Sequence, residues 1–144
     1  MNKLNKQKLF LVDDDALFLK SLEIEFIQEG IFDTQTYATG ELCIENLAQH
    51  PDLIILDYHL DGVDKTAMDG LEALDKIKLF NKDIPVIMLS SQDKIEVAIN
   101  CMHHHATDYV VKSETAFMRL QKIIKDIFEV KKLQNVITWY EDRV

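Results

Sequence analysis

Apolar residues fall along this chain in two kinds of run. Residues 8–12, 52–56 and 84–89 are nearly continuous apolar stretches, as expected of strands buried on both faces. Residues 32–38, rich in Thr and aromatic side chains, and the shorter 107–111 predict two more strands. Between these runs the apolar positions recur every three or four residues. They are Leu19, Leu22 and Phe26; then Leu42, Ile44 and Leu47; then Leu71, Leu74, Ile77 and Leu79; then Ile95, Ala98, Cys101 and Met102. Each set predicts a helix with those side chains turned inward. Gly30 stands where a helix C-terminus wants it, and Thr39 is placed to cap the second helix. The final segment carries Phe117, Leu120, Ile124, Ile127, Val130, Leu133, Ile137 and Tyr140 at the same spacing, predicting a helix longer than the others.

Strands alternating with helices imply an α/β fold, a doubly wound five-stranded parallel sheet with helices on both faces. Ligands of such sheets bind beyond the carboxyl ends of the strands. At those ends stand Asp13, Asp14 and Asp15, then Asp57, then Ser90 and Ser91, and finally Lys112. Acids, hydroxyls and one ammonium therefore converge on a single edge.

The chain has 144 residues and reads as one domain, with no repeat and no Pro/Gly-rich linker. A formal charge of −9 argues against direct binding to nucleic acid or to an anionic membrane face. No apolar run is long enough to span a membrane, and the opening MNKLNKQK lacks the apolar core of a signal peptide. Cys43 and Cys101 each fall in a helical apolar pattern and are expected as buried thiols, which favours a cytoplasmic setting.

Carboxylate oxygens with no His or Cys among them suit a hard ion, Mg²⁺ above all. Such an ion and Lys112 would neutralise the acid cluster, Ser90 could donate to a phosphoryl oxygen, and one aspartate is left to act as a nucleophile. His103, His104 and His105 point in different directions on a helix, so a helix end suits them better than a shared metal. Asp61, Asp64 and Asp69 lack the ligand alternation of a calcium loop and read as a solvated loop.

Five segments taken in order, VDDD at 12–15, LIILD ending at Asp57, DGLEAL at 69–74, PVIMLSS at 85–91 and DYVVK at 108–112, resemble the receiver domain of two-component response regulators. The resemblance implies the flavodoxin-like (CheY-like) strand order 2-1-3-4-5 over a receiver domain at 1–130, with 131–144 extending its last helix. It makes Asp57 the phosphoacceptor and Asp14 a direct Mg²⁺ ligand, with Asp13 holding the metal largely through water. The backbone carbonyl of His59 becomes the third metal contact. Ser90 is then the switch hydroxyl, Tyr109 the switch aromatic, and Lys112 the partner of the phosphoryl oxygens. Asp15 is left to cap the first helix. The implied role is a phosphoacceptor signalling module rather than an enzyme. A histidine kinase or phosphotransfer protein would supply the phosphoryl group, and an unknown downstream protein would read it by contact. Two other readings stand beside it, a haloacid-dehalogenase-like phosphatase using Asp13, and a receiver-like scaffold that carries no phosphate. Leu17 and the absence of a later acidic pair disfavour the phosphatase.

The chain departs from the family pattern in several places. The loop between Asp57 and the Asp69-Gly70 pair is roughly five residues longer than usual, with Asp61 where a proline is common. Lys112 precedes Ser113 rather than proline, so a trans bond is expected there. His105 stands where glycine is common, and the terminal helix runs on through LQNVITWYEDRV. That extension either packs on its own domain, or meets a second copy in a homodimer, or is the start of a lost or trimmed output region.

Overall fold

A computed structural model describes residues 6–143. The first five residues and Val144, which begin and end the predicted segments, lie outside the described residues. The chain alternates β1 (Gln7–Val12), α1 (Ala16–Glu29), β2 (Phe32–Tyr37), α2 (Gly40–Glu45), β3 (Leu53–Asp57), α3 (Gly70–Phe80), β4 (Val86–Ser90), α4 (Ile95–His103), β5 (Asp108–Val111) and α5 (Ala116–Glu141). All pairings are parallel, and the strands lie in the order β2-β1-β3-β4-β5, as the resemblance implies.

Side chains alternate across a strand, so each central strand feeds two cores. Leu9, Leu11, Leu53, Ile55, Ile87, Leu89 and Val110 pack with Leu22 and Phe26 of α1 and with Leu120 and Ile124 of α5. Phe10, Val12, Ile54, Leu56, Val86 and Met88 pack with Cys43, Ala73, Leu74, Ile77 and Cys101 from the other three helices and with Leu47, which follows α2. This is why β1, β3 and β4 are apolar almost throughout. The caps follow the sequence too. Asp15 accepts from the amides of Leu17 and Phe18, Thr39 accepts from Leu42, and Gly30 closes α1 at φ 75°. Cys43 and Cys101 are buried free thiols.

Several helical faces differ from expectation. The second helix is short, giving way to a 3-10 turn at Leu47–Gln49, and Leu42 faces outward while Cys43 faces in. Leu79, Ile95 and Met102 are exposed as well. Their spacing is helical, but each lies on an arc that its own sheet face does not reach. From Glu129 to Arg143 every described side chain of α5 and its cap is exposed, so the extension does not pack on its own domain. No peptide among the described residues is cis, and His105 adopts φ 72°, which accounts for the glycine common at that position.

Candidate functional site at the carboxyl edge of the sheet

The three adjacent acids after β1 have three different settings. Asp13 is buried, Asp14 half-buried and Asp15 exposed. The chain stays in the ladder for one more residue, with the Asp13 amide donating to the Tyr37 carbonyl at 3.1 Å. Asp13 Oδ1 accepts from the Asp15 amide at 2.9 Å, which turns the chain into α1. Asp15 spends its carboxylate on the helix cap, so it is not available as the acid of a phosphatase pair.

Asp57 closes β3 and is only 2 % exposed. Its Oδ1 accepts from the His59 amide at 3.3 Å. Lys112 follows β5, held in place by its amide donating to the Ser90 carbonyl at 2.8 Å. Its ammonium lies 2.7 Å from Asp13 Oδ2 and 3.4 Å from Asp57 Oδ1. It also sits 4.7 Å above the Phe18 ring centroid, a cation–π contact that seals it from one side. The contact with Asp13 is an ion pair without hydrogen-bond alignment, and Asp13 Oδ2 has no hydrogen-bond partner among the described residues.

Two buried carboxylates share this one ammonium, and the Asp57 carboxyl reflects it. Burial first, then the charge of Asp13, push the Asp57 carboxyl up to about 7, with Lys112 acting in the opposite direction. Burial alone would lower Lys112. Its pairing with Asp13 and the charge of Asp57 outweigh that and hold the ammonium above the usual lysine value. Asp13, Asp14 and Asp57 can each bring one oxygen within 4.8 Å of the others, and among the described residues no other such group of three exists. An all-oxygen set with more negative charge than Lys112 can balance fits Mg²⁺.

Ser90 is fully buried at the end of β4, and its Oγ accepts from the Gln92 amide at 3.0 Å. The Tyr109 hydroxyl donates to the Gln92 carbonyl. Both expected switch residues therefore meet at Gln92, which nothing in the local sequence pattern singled out. Burial, the largest cause, raises the Tyr109 phenol above its usual range.

The enlarged loop after Asp57 folds back over the acids. The Val63 amide donates to Asp14 Oδ2 at 3.0 Å, and Leu60 is buried beneath the loop. A Cβ placed at Gly62 would lie 3.1 Å from Asp14 Oδ2 and 3.6 Å from the His59 carbonyl oxygen, so that carbonyl is on the same side as Asp14. Gly70 closes the loop by donating to the Tyr58 carbonyl at 3.0 Å. Asp64 binds Thr66 and Asp69 caps α3, so the loop acids do not converge. The histidines also separate. His104 Nδ1 pairs with Asp75 Oδ1 of α3 at 2.8 Å, while His103 ends α4.

Residues 9–135 match the family model described as response regulator receiver domain. The nitrogen assimilation regulatory protein NtrX of Azorhizobium caulinodans is 32 % identical over 136 residues, covering 90 % of this chain and 28 % of its own length. The luminescence regulatory protein LuxO of Vibrio campbellii is 33 % identical over 123 residues, covering 85 % of this chain and 26 % of its own. The chain thus spans less than a third of the length of these curated relatives. Among solved structures, NtrX from Brucella abortus superposes with a TM-score of 0.81 at 28 % identity, over 95 % of this chain and 30 % of that one. A receiver domain protein from Methanospirillum hungatei gives 0.73 at 25 % identity, over 88 % of this chain and 98 % of that one.

Proposed function

The chain belongs to the response regulator receiver domain family, and from that premise we propose that Asp57 accepts a phosphoryl group from a histidine kinase or phosphotransfer protein. One observation carries the reading. Asp57 is a buried carboxylate with an ammonium 3.4 Å from its oxygen and two further aspartates beside it. A carboxylate oxygen attacks phosphorus, the bond from phosphorus to the donor breaks, and an acyl phosphate forms on Asp57. Lys112 moves its charge onto the phosphoryl oxygens, and the Ser90 hydroxyl donates to another of them. Asp13, Asp14 and Asp57, with the His59 backbone carbonyl, would hold Mg²⁺, which supplies charge neutralisation at the transferring group.

The switch runs through Gln92. Drawing Ser90 toward the phosphoryl group pulls on the Gln92 amide, and Tyr109 is tied to the carbonyl of the same residue. Ile95, Ile99 and Met102 of α4 stand exposed next to this region and suit a downstream protein contact. The loop at 58–69, resting on Asp14 through Val63, governs access to the acids. We read residues 1–130 as the receiver unit, with the residues after 130 continuing its last helix as far as Glu141. A cytoplasmic setting agrees with buried free thiols, and no described helix is long and apolar enough to cross a membrane. The charge of −9 supports protein rather than nucleic-acid partners.

The test is intact mass after incubation with Mg²⁺ and acetyl phosphate, beside Asp57→Asn and Asp13→Asn. One phosphoryl adduct that Asp57→Asn abolishes is the expected result. An adduct that survives Asp57→Asn and disappears in Asp13→Asn would instead establish the phosphatase reading. No adduct, together with no response to beryllofluoride, would leave a scaffold.

A further inference from the structure

Phe18 lies on the first turn of α1, and its ring centroid is 4.7 Å from the Lys112 ammonium. Two local hydrogen bonds fix where that ring stands. The Asp15 amide donates to Asp13 Oδ1 at 2.9 Å, and the Phe18 amide donates to Asp15 Oδ1 at 3.1 Å. The acid nearest the ammonium and the ring against it therefore belong to one short hydrogen-bonded segment. Leu17 beside it is 86 % exposed, whereas Phe18 packs against the core that α1 shares with α5. Lys112 arrives from the far side of the sheet edge, its amide donating to the Ser90 carbonyl. Its ammonium faces Asp13 Oδ2 at 2.7 Å and Asp57 Oδ1 at 3.4 Å. Charge attraction of this kind pulls the ammonium inward without fixing its direction. The Lys112 side chain is only 16 % exposed, and the ring covers a side that water would otherwise take.

We propose that Phe18 is a positioning residue for phosphoryl transfer, its ring holding the Lys112 ammonium over the acceptor carboxylate through the cation–π contact. The inference rests on the reading of Asp57 as the phosphoacceptor. Lys112 has two tasks in succession. It balances two buried acids at rest, and it then turns its charge onto the phosphoryl oxygens. A third carboxylate in place of the ring would compete with the phosphoryl group for that charge and would repel the acids already present. Water there would screen the charge and leave the four-carbon stem of the lysine free to move. An aromatic face does neither. It is neutral, it attracts a cation through its quadrupole, and it stands on a capped helix end. As the acyl phosphate forms, the ammonium turns from the carboxylates to the new oxygens and keeps the same wall behind it. Phe18 itself makes and breaks no bond. An aliphatic side chain of similar size would fill the space but lack the attraction, which separates positioning from packing.

The experiment follows the rate of adduct formation on the full chain by intact mass, with Mg²⁺ and acetyl phosphate. It compares the wild type with Phe18→Tyr, with Phe18→Leu, and with chains whose Phe18 ring carries one, two or three fluorines. Fluorine withdraws charge from the face of the ring with little change of shape, so a packing role predicts equal rates across that series. The expected rate falls with each fluorine and is about fivefold lower with three. Phe18→Leu should lose at least about as much, and Phe18→Tyr should stay within about twofold of the wild type. Equal rates across the fluorine series, or a wild-type rate in Phe18→Leu, overturn the proposal. The fluorinated chains keep the core volume, so a misfolded Phe18→Leu does not remove the test. The contact is also read without any phosphodonor, from the Lys112 Hε signals in a proton–carbon NMR spectrum. The ring current should move them upfield in the wild type and in Phe18→Tyr, and Phe18→Leu should return them to the position of the exposed lysines. Unshifted wild-type signals overturn the contact and the proposal with it. A wild type that forms no adduct refutes the phosphoacceptor reading, and any effect of Phe18 on transfer with it, even where the upfield shift shows the contact intact.

Discussion

Replacing Asp57 by asparagine takes one negative charge out of a pocket where two buried carboxylates share a single ammonium. The raised carboxyl means that ionising Asp57 in the folded protein costs energy. The rise from 3.8 to about 7 corresponds to roughly 4 kcal/mol at full value. The charge of Asp13 is one cause of that rise and stays in the variant, so about 2 kcal/mol is the expected gain from removing the Asp57 charge alone. An amide keeps the shape of the carboxylate. Its oxygen can still accept from the His59 amide, and its NH₂ can donate toward Asp13. Between pH 3.8 and about 7 the folded group holds a proton that the unfolded chain has released. Wild-type stability therefore falls as pH rises through that window. Asp57→Asn should match the wild type near pH 4 and exceed it by the full amount above about pH 7. Thermal denaturation without divalent cations should show a melting temperature higher by roughly 6 °C at neutral pH. Mg²⁺ should narrow the gap by stabilising the wild type. Equal melting temperatures across the whole pH range, or a less stable variant at neutral pH, would refute the reasoning.

Three further outcomes are expected. In Gly70→Ala the new Cβ would lie 2.3 Å from the Asp57 carbonyl oxygen and 2.7 Å from the Tyr58 Cα, both backbone. A loss of about 3 kcal/mol in urea denaturation is expected, and a loss below ~1 kcal/mol would show that the loop shifts freely. Asp15→Ala should cost about 1 kcal/mol by the same measurement through the lost α1 cap. Its phosphoryl adduct on Asp57 should be unchanged by intact mass. His105→Gly should gain about 0.5–1 kcal/mol, because His105 holds φ 72° where a Cβ is unfavourable. A loss there would mean that the imidazole makes contacts worth more than its strain.

Much of the fold and most of the site could be read locally. A strand buried on both faces must be apolar throughout, so each run announced itself, and the polar residue ending it marked the sheet edge. That is how Asp13, Asp57, Ser90 and Lys112 were placed before any coordinate. The caps at Asp15, Thr39 and Gly30 were equally local, since each satisfies amides or carbonyls within a few residues of itself.

Helical faces were less legible. Leu42, Leu79, Ile95 and Met102 share the spacing of buried residues, yet they are exposed. Spacing defines a stripe but not which arc of the helix the sheet touches. The terminal helix reads as one stripe in sequence, yet Leu120 and Ile124 are buried against the sheet while Val130, Leu133, Ile137 and Tyr140 are exposed. The sequence determined the strands, the helices, the edge where chemistry gathers and the residue types that gather there. Only the tertiary structure decided that Lys112 lies nearer Asp13 than Asp57, that Val63 rests on Asp14, and that Gln92 joins Ser90 to Tyr109. Lys112 and Val63 meet acids far along the chain, and Tyr109 reaches Gln92 from the neighbouring strand. Distances of that kind are set by the packing of the two cores beneath the edge, which no local pattern encodes.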